Sequence, residues 1–164
     1  MPGAIADFLK TTELNPSDEK AFYNSGLCKN KLGNFEGAIA DLTKAITLNP
    51  LYTLAFAYRG IVKATTQDLK GAIDDLTTAI KLNSEFPFAF YHRGNVKVEL
   101  GNHKGAIEDY TAAIISQPNY ADAFNNRGLA FYETGKTVDA CSDWVTASKL
   151  RNAVAAERLE KFCR

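Results

Sequence analysis

Ala21-Phe22-Tyr23-Asn24-Ser25-Gly26 returns as Ala55-Phe56-Ala57-Tyr58-Arg59-Gly60, then as Ala89-Phe90-Tyr91-His92-Arg93-Gly94, and again as Ala123-Phe124-Asn125-Asn126-Arg127-Gly128. The four glycines stand 34 residues apart each time. A second phrase keeps that period: Ala4-Ile5-Ala6-Asp7, Ala38-Ile39-Ala40-Asp41, Ala72-Ile73-Asp74-Asp75, Ala106-Ile107-Glu108-Asp109 and Ala140-Cys141-Ser142-Asp143. Self-similarity at a fixed period of this size marks a stacked repeat architecture. Each unit then packs against its neighbours instead of around one central core.

Apolar residues within a period recur at three- and four-residue spacing, as in Leu42, Ala45, Ile46 and Leu48, which is the helical period. Breaks fall at Gly33-Asn34, Asn49-Pro50, Gly101-Asn102, Gln117-Pro118 and Gly135-Lys136. Proline cannot continue a helix, and glycine accepts the left-handed conformation after a last turn. The spacing predicts a first helix over 3–14 and four antiparallel pairs: 18–31 with 35–48, 52–65 with 69–82, 86–99 with 103–116, and 120–133 with 137–149. A closing helix is predicted over 153–163.

The repeated small residues have a packing reason. Gly26, Gly60, Gly94 and Gly128 fall mid-helix, where glycine costs about 1 kcal/mol relative to alanine. Opposite Ala38, Ala72, Ala106 and Ala140 they let two backbones approach closely, with Phe22, Phe56, Phe90 and Phe124 filling the space one turn earlier. Arg59, Arg93 and Arg127 precede the glycines, and Asp7, Asp41, Asp75, Asp109 and Asp143 recur on the second helices. Two uses compete for these charges: repeated inter-helix ion pairs, or an arginine ladder gripping an acidic partner. Ser25 breaks the arginine series.

These landmarks resemble the tetratricopeptide repeat. One repeat supplies Phe22, Gly26, Gly33, Phe35, Ala38, Ala45 and Pro50; another supplies Phe90, Gly94, Gly101, Ala106, Tyr110, Ala113 and Pro118. The second repeat departs at Gln67 and Ser84, and the fourth at Thr137 and Asn152. The resemblance implies an all-α, right-handed solenoid of antiparallel helix pairs, read as one domain over 1–164. Its parts are a half repeat (1–16), full repeats over 19–52, 53–86, 87–120 and 121–154, and the end of a capping helix (155–164).

The family's architecture further implies a concave groove lined by the first helices, which holds an extended peptide or a partner's helix. In that register the lining is Lys20, Tyr23, Asn24 and Leu27, then Leu54, Ala57, Tyr58 and Ile61. Phe88, Tyr91, His92 and Asn95 follow, then Asp122, Asn125, Asn126 and Leu129, with Val98 and Tyr132 extending the face. The residues expected to bind a partner are Tyr23, Asn24, Leu27, Tyr58, Ile61, Tyr91, His92, Asn95, Asn125, Asn126, Leu129 and Tyr132. Tyrosine buries a large ring and still offers a hydroxyl. Asparagine carries both a donor and an acceptor, so it can bond a peptide backbone without reading its sequence.

The chaperone-binding branch of the family clamps a C-terminal carboxylate with Lys and Asn, then Asn, then Lys and Arg. The matching positions here hold Tyr23 and Leu27, then Tyr58, then Phe88 and His92. One repeat later they hold Ala57 and Ile61, then His92, then Asp122 and Asn126. Neither register offers the clamp.

Other functions are argued against by composition. Nineteen basic residues balance nineteen acidic ones, whereas phosphate binding needs a basic surface, so no nucleic acid is expected. No apolar run approaches the length that spans a bilayer, so direct membrane insertion is not expected either. Nucleophile elbow, phosphate-cradling glycine loop and HExxH are all missing, and His92 and His103 are the only histidines. No paired cysteine or histidine spacing supplies a metal site. Neither catalysis nor a cofactor is expected.

The remaining readings concern cysteines and ends. Buried free thiols are the default for Cys28 and Cys141, while a bond from Cys141 to Cys163 would staple the closing helix. The start, Met1-Pro2-Gly3, carries no signal-peptide pattern. A cytoplasmic location follows, or an exported, periplasmic one if Cys141 and Cys163 are bonded. The N-terminal half repeat, with Ile5, Phe8 and Leu9, lacks a partner helix, which suggests a cut N-terminus, as in the targeting or regulatory part of a larger enzyme or complex, or a self-association module that forms a homodimer or longer array. Ala153–Arg164 sets Glu157, Arg158, Glu160 and Lys161 opposite Val154, Leu159 and Phe162, as an amphipathic solvent cap at a natural C-terminus.

Overall fold

The computed structural model describes residues 17–163, which form helices α1 (Glu19–Lys31), α2 (Phe35–Leu48), α3 (Thr53–Thr65), α4 (Leu69–Leu82), α5 (Pro87–Glu99), α6 (His103–Ser116), α7 (Ala121–Glu133), α8 (Thr137–Lys149) and α9 (Ala153–Phe162). The helix predicted over 3–14, and with it the dimer expectation at Ile5, Phe8 and Leu9, lies outside the described residues. Every other predicted helix is present within a residue of its expected ends. The fold is an all-α solenoid of antiparallel helix pairs.

The chain divides into two compact units, Met1–Asn83 and Ser84–Arg164. In the first, α1 packs on α2 and α3 on α4, with α2 joining the pairs through α3. In the second, α5 packs on α6 and α7 on α8, α6 joins the pairs through α7, and α9 closes over α8.

The helix starts explain themselves locally. Asp18, Asn34, Asp68, Asn102 and Asn152 each accept a backbone N–H of the following first turn through a side-chain oxygen, satisfying a donor that the helix cannot. Turns within pairs need a left-handed residue: Gly33, Gly101 and Gly135 have φ of 78°, 72° and 79°. The second repeat has no glycine there, yet Gln67 takes the same conformation, with φ 65°. A side chain in that region is strained, so Gln67→Gly should raise stability by about 1 kcal/mol, read as a higher melting midpoint.

Close helix approach is measured at the repeated glycines. A Cβ on Gly26 would lie 2.8 Å from Leu42 Cγ and 3.2 Å from the Ala38 carbonyl oxygen. On Gly60 it would meet Leu76 at 2.9 Å, on Gly94 Tyr110 at 2.7 Å, and on Gly128 Trp144 at 2.7 Å. Ala38, Ala72, Ala106 and Ala140 are fully buried. The slot is the same in each repeat, but its filler grows along the chain from leucine to tyrosine to tryptophan.

Among the described residues the periodic charges are ion pairs; Asp7 lies outside them. Arg59, Arg93 and Arg127 each fork onto one aspartate, through Nε and NH2 to the two oxygens of Asp75, Asp109 and Asp143, at 2.7–2.9 Å. Lys63 and Lys97 add a second cation to Asp75 and Asp109 at 2.8 Å. Where Ser25 replaces arginine, its hydroxyl donates to Asp41, which also holds Lys29. The guanidinium groups lie over Phe56, Phe90 and Phe124, 5.4–5.7 Å from the ring centres, so the phenylalanines of the repeated phrase carry the arginines as well as filling space.

Candidate binding face

In the first unit, three tyrosines gather. Tyr23 lies 5.0 Å from Tyr52 and 5.7 Å from Tyr58 between ring centres, the latter edge-on. All three rest on the buried cluster of Ala38, Leu42, Ala45, Ala55 and Val62. Burial, followed by the neighbouring Tyr58 and Tyr52, pushes the Tyr23 hydroxyl pKa far up, so it remains a donor. Asn24, Leu27 and Ile61 are half-buried, and Ala57 is wholly buried. A buried Ala57 cannot line a face, which corrects that expectation. Tyr52, at the start of α3, belongs to the cluster although the groove register does not include it.

The second unit brings together a polar chain. Arg158 donates to Asn125 Oδ1 at 2.7 Å, and Asn125 Nδ2 donates to Asn126 Oδ1 at 3.0 Å. Asn126 Nδ2 in turn donates to Asn95 Oδ1 at 3.0 Å and to the Tyr91 hydroxyl at 3.2 Å. Tyr110, from α6 beneath, donates its hydroxyl to Asn95 Oδ1 at 2.7 Å. Asn95, Val98, Glu99, Tyr110, Asn126 and Leu129 line a cleft of about 200 Å³. The acceptor side of each amide is used internally, while the Tyr91 hydroxyl accepts from Asn126.

Burial is the main reason that the hydroxyl pKa values of Tyr91, Tyr110 and Tyr120 are raised. At Tyr91 the hydrogen bonds from Asn95 and Asn126 pull the other way. These groups therefore stay neutral donors in ordinary buffers. Tyr91 also packs on Tyr120, 5.0 Å away.

His92 sits edge-on to Phe88 at 4.4 Å and to Tyr91 at 5.1 Å. Burial brings its pKa down from 6.5 to about 4, so it is a neutral ring at pH 7. The unfolded chain takes up that proton first, so the contribution to stability is intact above pH 6.5 and declines as pH falls towards 4. Wild type should lose on the order of 2 kcal/mol relative to His92→Gln over that interval. Denaturant melts of both proteins at pH 7 and pH 4 check this, and a pH-independent difference would mean a solvated ring.

Two expected face residues are engaged within the protein. Asn125 is 6% exposed, with its amide oxygen taken by Arg158 and its backbone oxygen by Trp144 Nε1 at 3.2 Å. It supports Asn126 from below. Tyr132 packs against Trp144 and Phe162, with ring centres 5.9 and 4.8 Å away, in the C-terminal core. Arg158 reverses the solvent-cap expectation: it is half-buried and reaches across from α9 to α7. Cys141 and Cys163 are disulfide-bonded, with Cα atoms 5.7 Å apart, while Cys28 is free and half-buried. The free-thiol default for Cys141 is thereby corrected.

Among the described residues no group of His, Cys, Asp and Glu could hold a metal ion, and no helix is long and apolar enough to cross a membrane. The tetratricopeptide repeat model matches residues 19–52, and a second TPR repeat model matches 94–135. The chain belongs to the tetratricopeptide repeat family. As such it is a protein-interaction scaffold. The chain is similar to a crystal structure of MamA, with 27% identity, a TM-score of 0.84, and coverage of 94% of this chain and 91% of that one. A second MamA crystal structure matches at 27% identity and a TM-score of 0.80, over 98% of this chain and 85% of that one. MamA 41-end from Desulfovibrio magneticus RS-1 shares the fold at 17% identity, with a TM-score of 0.82 over 93% of this chain and 86% of that one. No curated protein matches at a significant level.

Proposed function

We propose that the chain is a non-catalytic scaffold that binds an extended protein segment, and that the Tyr91–Asn95–Asn126 cleft takes main-chain carbonyls of that segment. The observation that carries this reading is the one-way chain of hydrogen bonds, which uses up amide acceptors and ends on the neutral Tyr91 hydroxyl, 3.2 Å from the Asn126 that lines the cleft with apolar Val98 and Leu129. A partner then gains hydrogen bonds to its backbone and burial of small apolar side chains. Glu99 on the rim and a neutral His92 disfavour a carboxylate ligand. The closed Cys141–Cys163 bond favours the exported alternative over a cytoplasmic location.

Selection of the full chain against a displayed random peptide library provides a binder. Tyr91→Phe with Asn126→Leu should weaken that binder about tenfold or more, the loss of one to two net hydrogen bonds. Unchanged affinity in calorimetry would sink the assignment to this cleft.

A further inference from the structure

We propose that Arg158, on the closing helix, is a positioning residue for the Tyr91–Asn95–Asn126 cluster, and that a dithiol which opens the Cys141–Cys163 bond switches the cluster off. The proposal rests on the cleft reading above and concerns its regulation.

Three side-chain amides in a row satisfy one another in either direction, because rotating all of them exchanges every donor with an acceptor. Arginine can only donate. With its guanidinium 2.7 Å from Asn125 Oδ1, the Asn125 Nδ2 must face Asn126, whose Nδ2 must then face Asn95 and Tyr91. Trp144 binds the Asn125 backbone oxygen, so it leaves the side-chain direction unset. The Tyr110 and Tyr91 hydroxyls at the far end can each donate or accept and follow either direction, so Arg158 sets the polarity of the row, from outside the cleft.

What holds Arg158 there is a ten-residue helix, too short to persist unaided. Its first turn is fixed by Asn152, which donates to Asp122 at 2.8 Å, and by buried Ala155. Its last turn is fixed by Phe162 against Trp144 and Tyr132, and by the Cys163 bond to Cys141. Arg158 lies between these anchors. A dithiol transfers two electrons and two protons: the Cys141–Cys163 sulfur bond breaks to two thiols while the dithiol closes to its own disulfide. The last turn then frays, and the guanidinium exchanges Asn125 for water.

The test uses the full ¹⁵N-labelled chain, with hydrogen exchange of the asparagine side-chain amides as the readout. Dithiothreitol should raise the free-thiol count from one to three and speed exchange at Asn125 and Asn126 about tenfold, the scale of one net hydrogen bond. The Asn102 amide, on a helix cap remote from α9, should be unchanged. Cys141→Ser with Cys163→Ser should reproduce the reduced pattern and ignore dithiol. Arg158→Met should reproduce it with the bond closed, and Arg158→Lys, which still donates, should restore protection. Unchanged Asn126 exchange after complete reduction, or in Arg158→Met, overturns the proposal. N-acetyl-trialanine N-methylamide serves as the binding probe, and its effect on Asn95 and Asn126 signals should weaken severalfold on reduction. Equal binding to both forms overturns the switch. No binding to the oxidised form overturns the cleft reading, and the exchange data then decide the role of Arg158 separately.

Discussion

Trp144→Ala should destabilise the C-terminal repeat by about 3–5 kcal/mol, the range for emptying a buried aromatic site. Trp144 is fully buried, lies in the slot opposite Gly128, and touches the rings of Tyr132 and Phe162. Its Nε1 also donates to the Asn125 backbone oxygen at 3.2 Å. Alanine there forfeits the ring burial, removes the second hydrogen bond to a helical carbonyl and takes away the floor under α9. Trp144→Tyr provides the control, because Tyr110 already occupies the equivalent slot opposite Gly94. That variant should lose less than half as much. Urea unfolding followed by far-ultraviolet circular dichroism measures both. An alanine variant within about 1 kcal/mol of wild type, the scale of an ordinary surface change, would mean that the slot closes over the deletion.

Asp109→Ala should cost a similar 3–5 kcal/mol, since it strands buried cations without their counter-charge. The carboxylate is 3% exposed and takes both arms of Arg93 together with Lys97. Removing it sets two cations against each other between α5 and α6. Asp109→Asn should fall between, keeping hydrogen-bonding capacity but losing the charge. Asp41→Ala gives the internal comparison: among the described residues Asp41 holds Ser25 and Lys29, and it is more exposed, so the cost should be about 1–2 kcal/mol. Equal losses at Asp109 and Asp41 in the same denaturant series would contradict this account.

The helices and the glycine slots were readable in advance because they rest on local rules. A Cβ built on Gly26 or Gly128 would lie 3.2 Å from a carbonyl oxygen of the facing helix and closer still to a side chain, so the glycine must recur with the period. Turn chemistry was less binding than it looked: Gln67 departs from glycine and the backbone keeps the left-handed turn all the same. The pairing of Arg59, Arg93 and Arg127 with aspartates followed from matching periods of opposite sign.

The candidate face was readable only in part. Tyr91, Asn95 and Asn126 come together, as the register of the first helices implies. Adjacent residues on a helix diverge by about 100°, and near the edge of a face periodicity could not separate buried Asn125 from accessible Asn126. Arg158 was out of reach for another reason. The closing helix has no counterpart in the other repeats, so no register placed its side chains, and an arginine on an amphipathic helix reads as solvated. The changing filler of the glycine slot explains Tyr110, which the pattern marks as packing but whose hydroxyl also donates to Asn95.

The growth of that filler from leucine to tryptophan also makes one end of the molecule visible on its own. Trp144 is the single tryptophan of the chain, and its fluorescence reports α7, α8 and α9, whereas circular dichroism reports every helix. In a nearest-neighbour array, unfolding can begin at an end and advance repeat by repeat. Emission and ellipticity curves that separate along a denaturant series would therefore time the loss of the C-terminal repeat against the rest, without any label being added.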